Sequence, residues 1–258
     1  MEVKSTKIIK ACMLMSITAF LFSCQKDERL GTLDTAKVNV INAVVGGGET
    51  KVNVSTKIIP WMSISDNQIL GGSNGVGRVY ITSTDRLCYL QVAPVSDTTK
   101  FWYNQQRHLD AGKIYTLYLS GTAVNVKTSF HEETNFPKYI LRDAGRSTPV
   151  ADSIVNIRFI NLSPTGPKVD VKIQGKSNNE ASGLNYEDFT EFKAYPFTKN
   201  DNFIFFEIRR SSDNLLVANY ALYLPNVHFK SIAIVMMGIY SGFMVPYVDQ
   251  YQVNMVIY

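Results

Sequence analysis

The side chains that build most metal and nucleophilic sites are scarce in this sequence. Its 258 residues include three histidines and three cysteines, and none of them lies at the spacing to another that a zinc site uses. There is no Gly-x-Ser-x-Gly turn, and the glycine-rich stretch 71–77 lacks the Lys-Ser or Lys-Thr ending of a phosphate-binding loop. We therefore predict no catalytic residue, no metal and no cofactor, and an enzyme is the least favoured function.

Excess charge of one sign is also small. Lysine and arginine number 26 against 22 acidic residues, a net charge of +4, and half of this excess comes from Lys4, Lys7 and Lys10 against Glu2. A nucleic-acid partner requires a basic stripe, so we expect none. With 45% hydrophobic and 19% charged residues, the composition is that of a globular protein and excludes a disordered or collagen-like chain.

The N-terminal segment lacks an apolar run long enough for a membrane-spanning helix. Residues 11–22 carry no charge and follow three lysines, but a spanning helix needs about 20 apolar residues, so the pattern predicts a secretion signal. The sequence Leu21-Phe22-Ser23-Cys24 resembles the bacterial lipobox, whose cysteine receives diacylglycerol before cleavage. We predict Cys24 as the lipidation site; the alternative is a plain signal peptide with an unmodified cysteine.

The residues after this cysteine bear on localisation. Gln25-Lys26-Asp27-Glu28 resembles the export signal of Bacteroidetes-type lipoproteins, which implies an outer-membrane protein exposed on the cell surface. A charged, solvated tether facing the periplasm is the alternative. Of the three cysteines, this leaves Cys88 as the free thiol of the mature chain. Because Cys88 lies in a strand-like apolar run, we expect it to be buried and inert.

An internal repeat predicts the domain organisation. The segment 37–42 matches 156–161 at an offset of 119 residues, 89–92 resembles 205–208 at 116, and 113–121 parallels 230–238 at 117. A nearly constant offset along the chain indicates a tandem duplication. We assign 1–23 to a signal peptide, 24–35 to a lipidated tether, and 36–145 and 146–258 to the two repeats.

Apolar residues within each repeat alternate with a period of two, and turn-forming residues separate the runs. Val38 and Val40, like Val52 and Val54, alternate with polar residues, which is typical of strands with one buried face. We predict an all-β fold of two tandem antiparallel sandwiches of immunoglobulin type. A polar linker of about ten residues near 143–150 further predicts a rod of two domains arranged end to end, with modest hinge motion between them.

The second repeat carries a motif with a known likeness. Val155-Asn156-Ile157-Arg158-Phe159-Ile160-Asn161-Leu162-Ser163-Pro164, followed by Val169-Asp170-Val171, resembles the domain of unknown function 4397. That resemblance implies a secreted protein or lipoprotein and no catalytic residue. Physically, Asn161, Ser163 and Pro164 favour a tight turn and are predicted to be structural. The first repeat has Asn42-Ala43-Val44-Val45 at the turn and lacks the aspartate.

Aromatic residues supply the candidate binding surface. They make up 12% of the chain, and flat rings serve as platforms for sugars, so Trp61, Trp102 and Tyr103 form a candidate platform for a glycan or protein ligand. The alternative is that the tryptophans fill the core of the first sandwich. The stretch Asp110-Ala111-Gly112-Lys113-Ile114-Tyr115 resembles the approach to strand F of immunoglobulin-type folds, where a tyrosine hydroxyl bonds back to the preceding corner. We therefore predict a structural role for Tyr115.

Two further features concern modification and assembly. Three Asp-Ser/Thr tripeptides resemble the O-glycosylated tripeptide of exported Bacteroidetes proteins and place candidate sites at Thr35, Thr98 and Ser153. The terminal run 251–258 is predicted to be the last strand, and an exposed last strand can pair with another subunit. We therefore favour a lipid-anchored binding or display module, with a structural subunit of a surface assembly such as a fimbria as the alternative.

Overall fold

The structure is a computed structural model that describes residues 34–64, 69–70, 76–134, 153–241 and 249–258. Within these ranges the chain forms sixteen β-strands and two short 3₁₀ turns, and contains no α-helix. The predicted all-β sandwich fold is confirmed, whereas its immunoglobulin type stays a prediction. The signal peptide, Cys24 and the predicted boundary between 145 and 146 lie outside the described residues.

Eight strands form what we call the N-terminal sandwich. One of its sheets has the strand order β4-β1-β7-β8 and the other β3-β2-β5-β6. All pairs are antiparallel except β1 with β7, which is parallel. The strands are β1 (Thr35–Asn42), β2 (Thr50–Ser55), β3 (Ile69–Leu70), β4 (Gly77–Ser83), β5 (Cys88–Pro94), β6 (Tyr103–Arg107), β7 (Ile114–Thr122) and β8 (Asn125–Glu132).

The remaining eight strands form the C-terminal sandwich. Its sheets have the orders β12-β9-β15-β16 and β11-β10-β13-β14, so each strand occupies the place of the strand eight positions earlier in the chain. The pair β9 and β15 is again parallel. The strands are β9 (Ser153–Asn161), β10 (Val169–Ile173), β11 (Asn179–Leu184), β12 (Lys193–Phe197), β13 (Phe203–Arg210), β14 (Leu216–Tyr223), β15 (Ser231–Met237) and β16 (Gln252–Ile257).

Strand register is equivalent in the two sandwiches. Lys37 pairs with Ile114 in the first, and Asn156 pairs with Ser231 in the second, at the offsets of the sequence repeat. Alternation places every second side chain inside: Val38 and Val40 are fully buried in the first core, as Ile157 is in the second. Each sandwich therefore has its own apolar core between its two sheets.

The two sandwiches also share a third apolar core. Strands of the sheets β4-β1-β7-β8 and β12-β9-β15-β16 contribute outward-facing side chains to it, so these sheets lie face to face. The prediction of a rod of two domains with hinge motion is wrong, because this shared face is buried as thoroughly as a domain core. Its buried members are Ile41, Ala43, Tyr118, Ile160, Leu162, Ala233, Val235, Met237 and Val256.

Both sandwiches point the same way. We call the ends where β1 and β9 begin the entry ends, and the ends where these strands finish the distal ends. At the distal ends the Gly46 N–H donates to the carboxylate of Asp249 at 2.7 Å. Nearer the entry ends, Arg158 of β9 bonds to Glu133, which follows β8 directly. The two entry ends therefore lie side by side.

Candidate functional site

An aromatic pair, a half-buried Trp61 and an exposed Phe101, lies at the distal end of the N-terminal sandwich. The rings of Trp61 and Phe101 lie 5.6 Å apart between centroids; Phe101 is 42% exposed and the adjacent Met62 is 96% exposed. Trp61 lies in the 3₁₀ turn Trp61–Ser63, and its carbonyl accepts a hydrogen bond of 2.8 Å from the Lys51 ammonium. We call Trp61, Met62 and Phe101 the distal aromatic site.

A buried amide network supports the segment that leads to this site. Asn53 of β2 is fully buried, and its amide N–H₂ donates to Gln91 at 3.0 Å and to the Lys57 carbonyl at 3.2 Å. The Ser55 hydroxyl donates to the Asn53 side-chain oxygen at 2.7 Å. Because buried amides need such partners, these bonds fix residues 55–57 against the outer face of β2 and direct the chain back towards the distal end.

The three residues of the predicted platform, Trp61, Trp102 and Tyr103, do not form one surface in the structure. Trp102 packs against the core of the N-terminal sandwich, and a side chain on Gly47 would come within 2.5 Å of its ring. Tyr103 is 8% exposed, and its hydroxyl accepts a hydrogen bond from Arg107. Tyr103 is therefore a core residue, and the prediction that its ring is a ligand platform is wrong. Trp61 instead pairs with Phe101, a neighbour in sequence of the predicted residues.

A second exposed group of rings lies at the entry end of the C-terminal sandwich. Phe203 and Phe205 of β13 are each 48% exposed and Tyr223 of β14 is 44% exposed. The ring of Phe203 lies 5.7 Å from Phe205 and 5.1 Å from Tyr223 between centroids. We call these three residues the aromatic strip. The strip was not predicted from the sequence, although the spacing of Phe203 and Phe205 is a signal for it, because alternate positions on a strand share a face.

A buried polar cluster lies between the sandwiches. Arg158 is held by the Glu133 carboxylate and by the hydroxyls of Tyr118 and Tyr258. Burial raises the pKa of both tyrosine hydroxyls above their ordinary value, so both remain neutral. Burial disfavours the charge of Arg158, but the surrounding oxygens outweigh it and raise the pKa of Arg158. A cavity of about 190 Å³ adjoins this cluster.

The described residues contain neither a metal-binding cluster nor a membrane-spanning helix. None of their histidine, cysteine, aspartate and glutamate side chains form a group of three that could hold a metal. Within the same ranges, no helix has the length and apolarity to cross a membrane. The ring nitrogen of His131 bonds to the Ser129 hydroxyl.

The residues predicted to be structural make backbone contacts. The Tyr115 hydroxyl accepts a hydrogen bond of 3.1 Å from the Asp110 N–H, at the corner before β7. The Asn161 side-chain oxygen accepts from the Ser163 N–H at 3.2 Å, and the Ser163 hydroxyl donates to the Gly238 carbonyl at 2.6 Å. Pro164 is half-buried in the turn that follows.

Asn42 does in the first repeat what Asn161 does in the second. Its side-chain oxygen accepts a hydrogen bond of 3.1 Å from the Val44 N–H, the same two-residue turn that Asn161 makes with Ser163. The sequence lacks the Ser-Pro of the second repeat at this place, but the asparagine alone forms the turn. The two repeats therefore share this contact in spite of their different sequences.

The three candidate glycosylation sites differ in accessibility. Thr35 is half-buried at the first position of β1, and Thr98 is half-buried in the turn after β5. Ser153 is 2% exposed, so an enzyme cannot reach its hydroxyl in the folded protein. The prediction of a glycan on Ser153 is therefore wrong, whereas Thr35 and Thr98 stay predictions.

The remaining thiol lies in the first core. Cys88 is fully buried, and burial raises the pKa of its thiol against the opposing effect of its hydrogen bonds with Thr82 and Ser55.

Comparison with known proteins gave no family: no family model matches the chain, and a search of curated proteins found no match. The likeness to the domain of unknown function 4397 therefore rests on the motif in the second repeat.

Proposed function

We propose that this protein is a non-enzymatic, lipid-anchored module of the bacterial cell envelope that presents a ligand-binding surface at its distal end. The observation that carries the proposal is the Trp61–Phe101 pair, in which a half-buried Trp61 ring packs against the exposed Phe101 ring at the end of the N-terminal sandwich opposite the start of β1. A chain tethered through its N-terminus would turn this end away from the membrane. The ligand class that such rings favour is a glycan or an apolar protein segment.

The anchor is supported by the sequence before β1. Residues 1–23 combine lysines, a short apolar run and a small residue before Cys24, as a lipoprotein signal does. Several acyl chains on one cysteine bury enough methylene groups, at about 0.8 kcal/mol each, to hold a folded domain on a bilayer. We place the protein at the outer membrane and on the cell surface, from the Lys26-Asp27-Glu28 segment that follows the cysteine.

Kinship with the domain of unknown function 4397 is part of this proposal. The aspartate of its Val-Asp-Val signature is Asp170, which accepts hydrogen bonds of 2.7 Å from the Gly183 N–H and from the Ser211 hydroxyl. It thereby ties β11 to the turn after β13. A scaffold role for the motif agrees with a family that has no catalytic signature.

Two experiments test the proposal. Labelling of growing cells with a radioactive fatty acid should mark the parent protein and leave the Cys24→Ala variant unmarked; label on both would contradict the anchor. The unlipidated chain from residue 24, with Cys24→Ala, is then applied to glycan and matrix-protein arrays. Absence of any ligand on these arrays would refute the binding function.

A variant pair locates the site once an array ligand is found. Trp61→Ala with Phe101→Ala should weaken binding at least about tenfold, because central aromatic residues dominate such contacts. The control is Val124→Ala, which removes a 96% exposed apolar side chain between β7 and β8. Equal affinity of both variants and the parent would exclude the distal aromatic site as the binding surface.

The alternative function, a structural subunit of a surface assembly, is favoured by the edge strand β14. This strand is eight residues long and ends its sheet in the order β11-β10-β13-β14. An edge strand of that length can accept a strand from another subunit. Cleavage at Arg29, in the predicted tether before β1, could release a donor segment. Light scattering after this cleavage tests the alternative: assembly supports it and a monomer contradicts it.

A further inference from the structure

The entry end of the C-terminal sandwich combines exposed rings with basic loops. The aromatic strip lies where β13 begins and β14 ends. Phe229, 50% exposed, lies at the same end, since its N–H donates to the Ile154 carbonyl near the start of β9. The loops at this end, 174–178, 198–202 and 224–230, contain three lysines and one aspartate: Lys176, Lys199, Lys230 and Asp201.

Charge at the distal end of the same sandwich has the opposite sign. There the turns before β10, after β11, after β13 and before β16 carry more acidic side chains than basic ones. The connections at the two ends of the C-terminal sandwich therefore differ in charge, basic at the entry end and acidic at the distal end. The charged residues of the distal connections are Lys168, Glu187, Asp188, Glu191, Asp213 and Asp249; of these, Asp213 pairs with Arg210, the last residue of β13.

The predicted tether leads to the entry ends. The first described residue, Asp34, precedes β1 directly, and the contact of Arg158 with Glu133 places the two entry ends side by side. Asp34 lies ten positions after Cys24, and a fully extended chain of that length spans at most about 35 Å. An acyl group on Cys24 therefore holds the entry ends, and with them the aromatic strip, close to the bilayer.

We propose that the entry end of the C-terminal sandwich is a membrane-contact surface that rests on anionic lipid headgroups. The rings of the aromatic strip lie at headgroup level, where amphipathic and aromatic side chains concentrate, and the three lysines face lipid phosphates. This inference rests on the proposed anchor at Cys24. It orients the molecule, because contact at the entry end points the distal aromatic site away from the bilayer.

A lipid surface fits these residues better than a soluble ligand. The aromatic strip lies at the end nearest the anchor, where the bilayer is the nearest large surface. A neutral glycan gains nothing from three loops that each carry a lysine, whereas each lysine near an anionic membrane strengthens binding by about fivefold. The surface should therefore distinguish charged from neutral vesicles even without the acyl anchor.

Vesicle partitioning of the unlipidated chain tests the surface separately from the anchor. The protein from residue 24, with Cys24→Ala, is sedimented with vesicles of phosphatidylglycerol and phosphatidylethanolamine, and with vesicles of phosphatidylcholine alone. We expect binding to the anionic vesicles that weakens as salt is raised. Phe203→Thr with Phe205→Thr should lower the partition coefficient at least about tenfold. Lys176→Glu with Lys199→Glu should lower it more than Lys176→Gln with Lys199→Gln, because glutamate reverses the charge and glutamine only removes it.

The matched control lies on the same hairpin. Leu215→Ser with Leu216→Thr removes apolar side chains that are 55% and 46% exposed at the opposite end of β13 and β14, and should leave partitioning unchanged. Circular dichroism verifies that every variant is folded. Equal binding to neutral vesicles, no binding at all, or equal loss in the control would overturn the inference. Fatty-acid labelling of Cys24 would still report on the anchor, so the two failures are distinguishable.

Discussion

Arg158 and Glu133 form a buried ion pair that joins the two sandwiches. Two parallel hydrogen bonds connect them, Nη1 to Oε2 at 2.8 Å and Nη2 to Oε1 at 2.6 Å, and their side chains are 4% and 5% exposed. The Tyr118 hydroxyl accepts from Arg158 and lies 3.1 Å from Glu133 as a donor. Each sandwich thus supplies one of two charges that are satisfied only when the sandwiches are packed together.

Loss of the Glu133 charge should be costly. Glu133→Gln leaves the Arg158 guanidinium buried without its counter-ion, and removing one partner of a buried pair typically costs about 3–5 kcal/mol. We expect a drop of that size in the free energy of unfolding, measured by urea denaturation. Lys113→Gln is the control, because its pair with Glu132 is exposed and exposed pairs contribute at most about 1 kcal/mol.

Replacing both charges distinguishes a buried-charge penalty from simple loss of packing. Glu133→Leu with Arg158→Met removes the two charges together, and apolar replacements of a buried pair are often neutral or stabilising. The double variant should therefore be more stable than Glu133→Gln. If it is equally destabilised, the ion pair is not what makes Glu133 necessary.

The strands, and their equivalence between the two sandwiches, were largely predictable from the sequence. The alternation of Val38 and Val40, and the constant offset between repeats, predicted strands that turn out to be equivalent in position and register. The hydrogen bond of Tyr115 at its corner followed from the local sequence as well. Such features depend on neighbours along the chain or on a pattern repeated in it.

Packing between the sandwiches could not be predicted in this way. The outward-facing positions of β9 include Asn156, Arg158 and Ile160, which look like a solvated face, yet all three are buried. Arg158 is buried because Glu133 neutralises it, and nothing in the local sequence of either residue reports that contact. The distal aromatic site was only partly predicted for the same reason, since Trp61 and Phe101 meet through the fold.

A buried amide at the shared face should be replaceable with a gain in stability. Asn39 of β1 is fully buried, and neither its side-chain oxygen nor its nitrogen has a hydrogen-bond partner among the described residues. An unsatisfied buried polar group costs about 1–3 kcal/mol, and valine suits a strand. We expect Asn39→Val to raise the free energy of unfolding by an amount in that range.

Asn42→Val is the matched comparison for this substitution. It makes the same change three residues later, but there the amide oxygen accepts the Val44 N–H, so stability should fall. Thermal unfolding of both variants beside the parent measures the contrast. A loss of stability in Asn39→Val would mean that its amide is satisfied in solution.

Asp170 should make stability depend on acid pH. Partial burial opposes its charge, but hydrogen bonds from the Ser211 hydroxyl and the Gly183 N–H outweigh that effect and hold the pKa of Asp170 below its ordinary value. A carboxyl whose pKa is lowered by folding stabilises the fold above its unfolded pKa of about 3.9, and this stabilisation is lost as the pH falls through the folded pKa.

The variant Asp170→Asn tests that dependence. At neutral pH we expect it to lower the free energy of unfolding by about 1 kcal/mol, the usual size for hydrogen bonds at a partly exposed site. The difference from the parent should shrink as the pH is lowered below about 4, because the parent carboxyl is then protonated too. Chemical denaturation at a series of pH values measures it. A difference that does not change with pH would show that the charge is unimportant.

Cys88 should be almost unreactive in the folded protein. Its thiol is fully buried, and burial raises its pKa, so both access and the thiolate fraction are low. In the unlipidated chain with Cys24→Ala, this thiol is the one that a disulfide reagent can report. We expect reaction at least about a thousandfold slower than for an exposed thiol introduced by Thr99→Cys, because the reagent must wait for local or global opening of the fold.

Urea should accelerate the reaction of Cys88 along the unfolding transition and leave the Thr99→Cys thiol nearly unaffected. Rapid labelling of Cys88 without urea would mean that the β4 and β5 side of the first core opens readily, since the thiol also lies against Thr82 of β4.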